Sequence, residues 1–81
     1  MSKLRTLSGA EVIGILAEFS FGRVAQSGSH VKVRRVLANG THQNLTVPLH
    51  KEIDRGTLLA IYRKALLYVP ESELRHRFYT D

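Results

Sequence analysis

The stretch HVKVRRVLANGTHQNLTVPL, residues 30–49, decides the fold. Its first half alternates. Val31 and Val33 point one way while His30, Lys32 and Arg34 point the other, the period-two pattern of a strand with one apolar face. Ala38-Asn39-Gly40 is turn chemistry, and the return segment carries Leu45 and Val47 as its apolar pair. Parity then sets the register. A two-residue loop at Asn39-Gly40 would place Val33 opposite Thr46, apolar against polar. A three-residue loop from Ala38 to Gly40, with Gly40 left-handed, places Val33 opposite Leu45 and Val31 opposite Val47. The three-residue loop is the expected one. Pro48 has no amide to give to a ladder, so it marks the strand's end or an edge.

Working outward, Arg23 to Gln26 reads as a brief strand, and Ser27-Gly28-Ser29 as the turn that joins it to His30. Upstream, Ser8 and Glu11 stand at capping-box spacing. Val12, Ile13, Leu16 and Phe19 recur at helical spacing, which predicts a helix over 9–20 that Gly22 stops. Gly14 weakens that helix or permits a close approach. Downstream, Leu58, Ile61, Tyr62, Ala65, Leu66 and Val69 form the stripe of a second helix starting near Gly56 or Thr57. The tail from Pro70 is compatible with a short third helix, with Leu74 and Phe78 as its apolar line. The expected fold is α+β: an α-β-β-β-α order, a three-stranded antiparallel sheet, and two helices covering one face. The other face, with His30, Lys32 and Arg34, is left to solvent or a ligand.

At 81 residues the chain is expected to be one domain, 1–81, with a single core. It has no cysteine, which removes disulfides, thiolate catalysis and Cys-containing zinc sites. No apolar run approaches the ~18 residues of a membrane span and no signal-peptide core opens the chain, so a cytoplasmic location without membrane partners is expected. The net charge is +5, and its distribution is uneven. No acidic residue lies between Glu18 and Glu52, an interval that holds Arg23, Lys32, Arg34, Arg35, Lys51, His30, His42 and His50. Such a one-sign block suits a phosphate backbone. Phe19 and Tyr62 read as core and the other aromatics are scattered, which argues against recognition by base stacking.

SGAEVIGILAEFSFGRVAQSGSHVKV (8–33), TVPLH (46–50) and RGTLLAIYRKA (55–65), in that order, resemble the HicA-like mRNA interferase toxins of bacterial and archaeal toxin–antitoxin pairs. The resemblance covers about 8–66 and leaves 68–81 as an extension. It implies a double-stranded-RNA-binding-like fold, endoribonuclease activity on mRNA, and a HicB-type antitoxin that blocks the active face. It also implies that the functional histidine is the one following Gly-Ser, His30. Ala25 departs from the pattern, standing where a basic residue commonly precedes the glutamine.

The residues themselves allow this chemistry. RNA cleavage by internal transfer needs a base for the 2′-hydroxyl proton and a cation for the charge that builds on phosphate. Histidine, with an unperturbed pKa near 6.5, suits the first task, and Lys32 and Arg34 on the same face suit the second. Ser29, Arg23, Lys51 and His50 are the further expected RNA contacts. From Gly-Ser-His alone, a wet histidine at the start of a strand is the simpler reading; the acid-free block and the resemblance turn it toward catalysis. His42 reads as a solvated residue near the hairpin tip. No metal or other cofactor is expected, because the central region lacks carboxylates and the hairpin parity separates His30, His42 and His50. A non-catalytic RNA-binding module on the same fold is the alternative. The free protein is expected to be a monomer, and the tail around Leu74 and Phe78 either meets the antitoxin or folds back on the second helix.

Overall fold

The structure is a computed structural model and describes residues 2–80. A short strand β1 (Lys3–Leu4) precedes helix α1 (Gly9–Ala17). Strands β2 (Gly22–Ser27), β3 (His30–Val36) and β4 (His42–Pro48) follow, then helices α2 (Arg55–Ala65) and α3 (Glu71–Phe78) and a last short strand β5 (Tyr79–Thr80). The three long strands form an antiparallel sheet in the order β2-β3-β4. The α-β-β-β-α order expected from the sequence is therefore present, and α3 follows it.

The β3–β4 hairpin has the register that parity selects. Val33 faces Leu45 and Val31 faces Val47. The Leu37 amide donates to the Thr41 carbonyl at 2.9 Å around a loop of Ala38, Asn39 and Gly40, and Gly40 is left-handed at φ 87°. Val31, Val33, Leu45 and Val47 are fully buried with Val12, Leu16, Leu58 and Ala65 of the helices, so α1 and α2 cover one face of the sheet. Pro48 ends β4, which is an edge strand. The hydrogen-bonded pairs are the odd-numbered ones, as the Leu37–Thr41 and Leu49–Ser29 bonds show. The amide position of Pro48 thus points outward, where its missing N–H costs no ladder bond.

Helix α1 starts as its capping box predicts. The Ser8 hydroxyl accepts from the Glu11 amide at 3.0 Å, and the Glu11 carboxylate accepts from the Ser8 amide at 2.9 Å. The end differs from expectation. The helix closes at Ala17, and Ser20, at φ 74°, takes the left-handed stop position expected of Gly22. Phe21 N–H bonds back to the Leu16 carbonyl and Ser20 N–H to that of Ala17, a Schellman closure that seals Phe21 into the core. The close approach also lies elsewhere than expected. A Cβ on Gly14 would meet nothing, whereas one on Gly9 would lie 2.0 Å from the Pro48 carbonyl oxygen. Gly9 is where α1 docks on the end of β4, and its amide donates to the His50 carbonyl at 2.9 Å.

Helix α2 begins at Arg55, one residue before the expected start, and Asp54 caps it: its carboxylate accepts from the Thr57 amide at 3.0 Å. The tail folds back on α2. Leu74 and Phe78 are fully buried, and the Phe78 and Tyr62 rings lie 5.2 Å apart. These two residues are therefore core and are not free to meet an antitoxin. After α3 the chain pairs with its own beginning, Lys3 with Thr80 and Leu4 with Tyr79, in a second small sheet that the sequence reading did not contain. Phe21 and Phe78 also prove to be core, while Phe19 is only half-buried.

Candidate functional site

The face of the sheet away from the helices carries the histidine. Ser27 and His30 flank a two-residue turn of Gly28 and Ser29, with Gly28 left-handed at φ 57°, as a hairpin turn with glycine first requires. His30 pairs with Ser27 on one side and Pro48 on the other. Next to it, Lys32 pairs with Ala25 and with Thr46. Cross-strand partners share a face, so these two rows lie side by side. Together Ala25, Gln26, Ser27, His30, Lys32 and Thr46 line a shallow depression of about 230 Å³. His30 and Lys32 are both exposed. Backbone bonds hold the rim, because the Leu49 amide donates to the Ser29 carbonyl at 2.6 Å. The Gln26 side-chain amide donates to the Gly28 carbonyl at 3.0 Å.

The other residues singled out by sequence are distributed as follows. Arg34 shares the open face, and its guanidinium donates to the Asn44 side chain at 2.8 Å. The hydroxyl-bearing Ser29 sits in the turn beside His30. His50 and Lys51 are exposed in the loop after β4, outside the depression. Thr57 hydrogen bonds, with His50 a smaller cause, hold the Asp54 carboxyl below the usual carboxylate range. Arg23 pairs with Val33, on the helix-covered side of the sheet, because a bulge at Val24 shifts the register of β2 before Ala25. His42 pairs with Val36 near the hairpin tip, roughly 20 Å along β3 from His30. Among the described residues, no three His, Cys, Asp or Glu side chains come together as a metal-binding group.

Arg35 belongs to the fold. Its parity places it with Val31 and Val33, and its guanidinium donates to the Gln43 side chain at 2.8 Å, the Phe19 carbonyl at 3.2 Å and the Tyr68 carbonyl at 2.7 Å. It also stacks on Phe21, 4.9 Å from the ring centroid. It must therefore be removed from the basic block that could meet RNA. Ser27 and Thr46, by contrast, were not singled out, although the same parity that pairs Val33 with Leu45 sets Thr46 beside Lys32. None of the six aromatic side chains is exposed, so the open face has no stacking platform.

No helix is long and apolar enough to cross a membrane among the described residues. No curated protein and no solved structure matches the chain significantly. The family model described as the HicA toxin of bacterial toxin–antitoxin systems matches residues 9–67, which include the whole sheet, α1, α2 and the His30 depression. With well over half its length matched, the chain belongs to the HicA toxin family, whose members are the toxins of toxin–antitoxin pairs.

Proposed function

We propose that this toxin is an endoribonuclease that cuts mRNA without a metal ion, with His30 as the general acid–base group. The observation that carries the reading is the exposed imidazole in a depression that also holds Lys32, Ser27 and Thr46. His30 takes the proton of a ribose 2′-hydroxyl, and the 2′-oxygen attacks the adjacent phosphorus. The bond to the 5′-oxygen breaks, and the protonated imidazole returns its proton to that leaving oxygen. The Lys32 ammonium offsets the charge on the phosphate oxygens, and the Ser27 and Thr46 hydroxyls donate to them. Arg34, further along the strand, extends the positive field.

The antitoxin implied by the family covers this face and competes with RNA. In the HicB-type arrangement that we infer, it presents carboxylates to Lys32 and Arg34, and its association slows as salt rises.

The test is His30→Ala with single-stranded RNA as substrate. The side chain is exposed and forms no hydrogen bond among the described residues, so the fold and melting temperature should be unchanged. Cleavage should fall by about 10²–10⁴-fold, the range general acid–base catalysis supplies. A folded His30→Ala protein that cuts RNA at a near-wild-type rate would refute the assignment.

A further inference from the structure

The outer edge of β4 divides two depressions. One holds His30. The other, about 250 Å³, lies between β4 and α2 and is lined by Leu45, Thr46, Thr57, Ala60, Ile61 and Lys64. Thr46 belongs to both. The α2 residues are spaced by three and four, so they form one face of that helix. No strand covers the β4 edge among the described residues. Because the odd-numbered pairs carry the ladder bonds, the amides and carbonyls of Asn44 and Thr46 point out over this edge. Lys32 and Thr46 are a non-hydrogen-bonded pair, the kind with Cα atoms only ~4.5 Å apart, so their side chains meet on the open face.

The charges run across the same edge. Lys32 stands on one side and Lys64 on the other, and among the described residues no carboxylate lines either depression. The ion pairs among the described residues, Arg75 with Glu71 and Arg77 with Glu18, involve neither lysine. Two unpaired ammonium groups, two threonine hydroxyls and outward amides form a continuous path from the His30 depression to α2. A polyanionic chain fits such a path. A peptide strand would use the amides but leave both lysines without purpose unless it were acidic.

We propose that the RNA strand cut at His30 continues over the β4 edge at Thr46 into the groove between β4 and α2, where Lys64 holds a backbone phosphate. The inference rests on the ribonuclease reading for the substrate, and adds to it a second phosphate subsite. Its apolar floor of Leu45, Ala60 and Ile61 gives a sugar or base edge a dry surface without selecting a base.

The test compares Lys64→Gln with Arg63→Gln, an exposed neighbour on α2 that lies outside the groove. The probes are 2′-O-methyl oligoribonucleotides, which cannot be cut, of about four and about ten nucleotides. Lys64→Gln should weaken the ten-mer by roughly threefold and lower its slope of log affinity against log salt by about 0.7, the share of one phosphate on a single strand. The four-mer, confined to the His30 depression, should be unaffected, and Arg63→Gln should change neither slope. Equal effects of the two variants, or equal effects on the two lengths, would overturn the subsite. Weakened antitoxin binding with unchanged RNA affinity would also overturn it and make the groove a protein-docking site. Cleavage of unmodified RNA by the wild-type protein reports separately on the ribonuclease reading. A Lys64-dependent ten-mer affinity with no cleavage would leave the subsite standing and sink the nuclease.

Discussion

Replacing Gly9 with alanine tests the contact that joins α1 to the strand end beside His30. The added Cβ would lie 2.0 Å from the Pro48 carbonyl oxygen and 2.8 Å from the Leu49 Cα. An ordinary carbon–oxygen contact is ~3.3 Å or more, so the helix start and the strand must part by about 1.3 Å. Both obstacles are backbone, and neither can swing aside as a side chain would. The 2.9 Å bond from the Gly9 amide to the His50 carbonyl cannot survive that displacement. An unmet buried amide costs about 1–3 kcal/mol, and overpacking adds about 1–3 kcal/mol. Alanine's helix preference returns at most ~1 kcal/mol. The net loss is therefore about 1–5 kcal/mol, or roughly 4–40 °C in melting temperature for a chain of this size.

The control is Gly14→Ala, on the same helix but exposed and with open space at its Cβ. There the propensity gain stands alone, and the protein should gain about 0.5–1 kcal/mol. Thermal unfolding followed by circular dichroism reads both. Two glycine variants that shift the melting temperature in the same direction, or a Gly9→Ala loss below about 0.5 kcal/mol, would refute the reasoning.

Two further outcomes follow from the packing. Arg35→Lys keeps the charge but cannot reproduce a planar fork that reaches Gln43 and the Phe19 and Tyr68 carbonyls while stacking on Phe21. It should cost about 2 kcal/mol in chemical denaturation, with no change in the salt slope of RNA binding; a slope that falls as for Lys32→Gln would contradict its structural role. Truncation after Leu67 removes Val69, Leu74 and Phe78, all buried. At about 1.5–3 kcal/mol each, their loss is comparable with the ~5–15 kcal/mol that stabilises a whole domain. The truncated chain should show no cooperative melting transition, and retention of the full melting temperature would show that the tail is not part of the core.

The central hairpin was legible because a single buried face leaves only one register that keeps Val31, Val33, Leu45 and Val47 together. The capping box of α1 was legible because it is a local exchange between Ser8 and Glu11. What was not legible depends on contacts distant in sequence. Nothing near Gly9 announces that Pro48 will press on it, and Gly14 looked the better candidate only because it sits mid-helix. Ser20 in the left-handed region is unusual for a residue with a side chain, so Gly22 was the natural expectation for the helix stop. Arg35 reads as one more cation of a basic block until the carbonyls of Phe19 and Tyr68 are seen to converge on it. The pairing of β1 with β5 joins opposite ends of the chain in strands of two residues each, too short to carry a pattern. Of the depression, His30 and Lys32 were legible. Thr46 follows from the same parity, but an uncharged hydroxyl in a strand carries no signal that marks it as a phosphate contact. The bulge at Val24, which turns Arg23 toward the helix side, has no sequence signal.

The anchoring of His30 separates chemistry from stability within one strand. Its position is set by ladder pairing with Ser27, by its place opposite Pro48 and by the neighbouring Leu49–Ser29 bond, none of which uses the imidazole. Its ring can therefore be replaced without loosening the sheet. Five residues along, the side chain of Arg35 tethers the hairpin to the end of α1 and to the turn after α2. The odd positions of β3 thus hold the fold, and the even positions His30, Lys32 and Arg34 face outward on a surface the helices do not reach. A small domain with a single core has one sheet face to bury, and the residues on the other are free of packing constraints. That freedom allows His30 and Lys32 to stand exposed with no side-chain hydrogen bond among the described residues, while Arg34 is half-buried and tied to Asn44. On the catalytic role proposed for His30, an antitoxin reaches that residue most directly by occupying this open face.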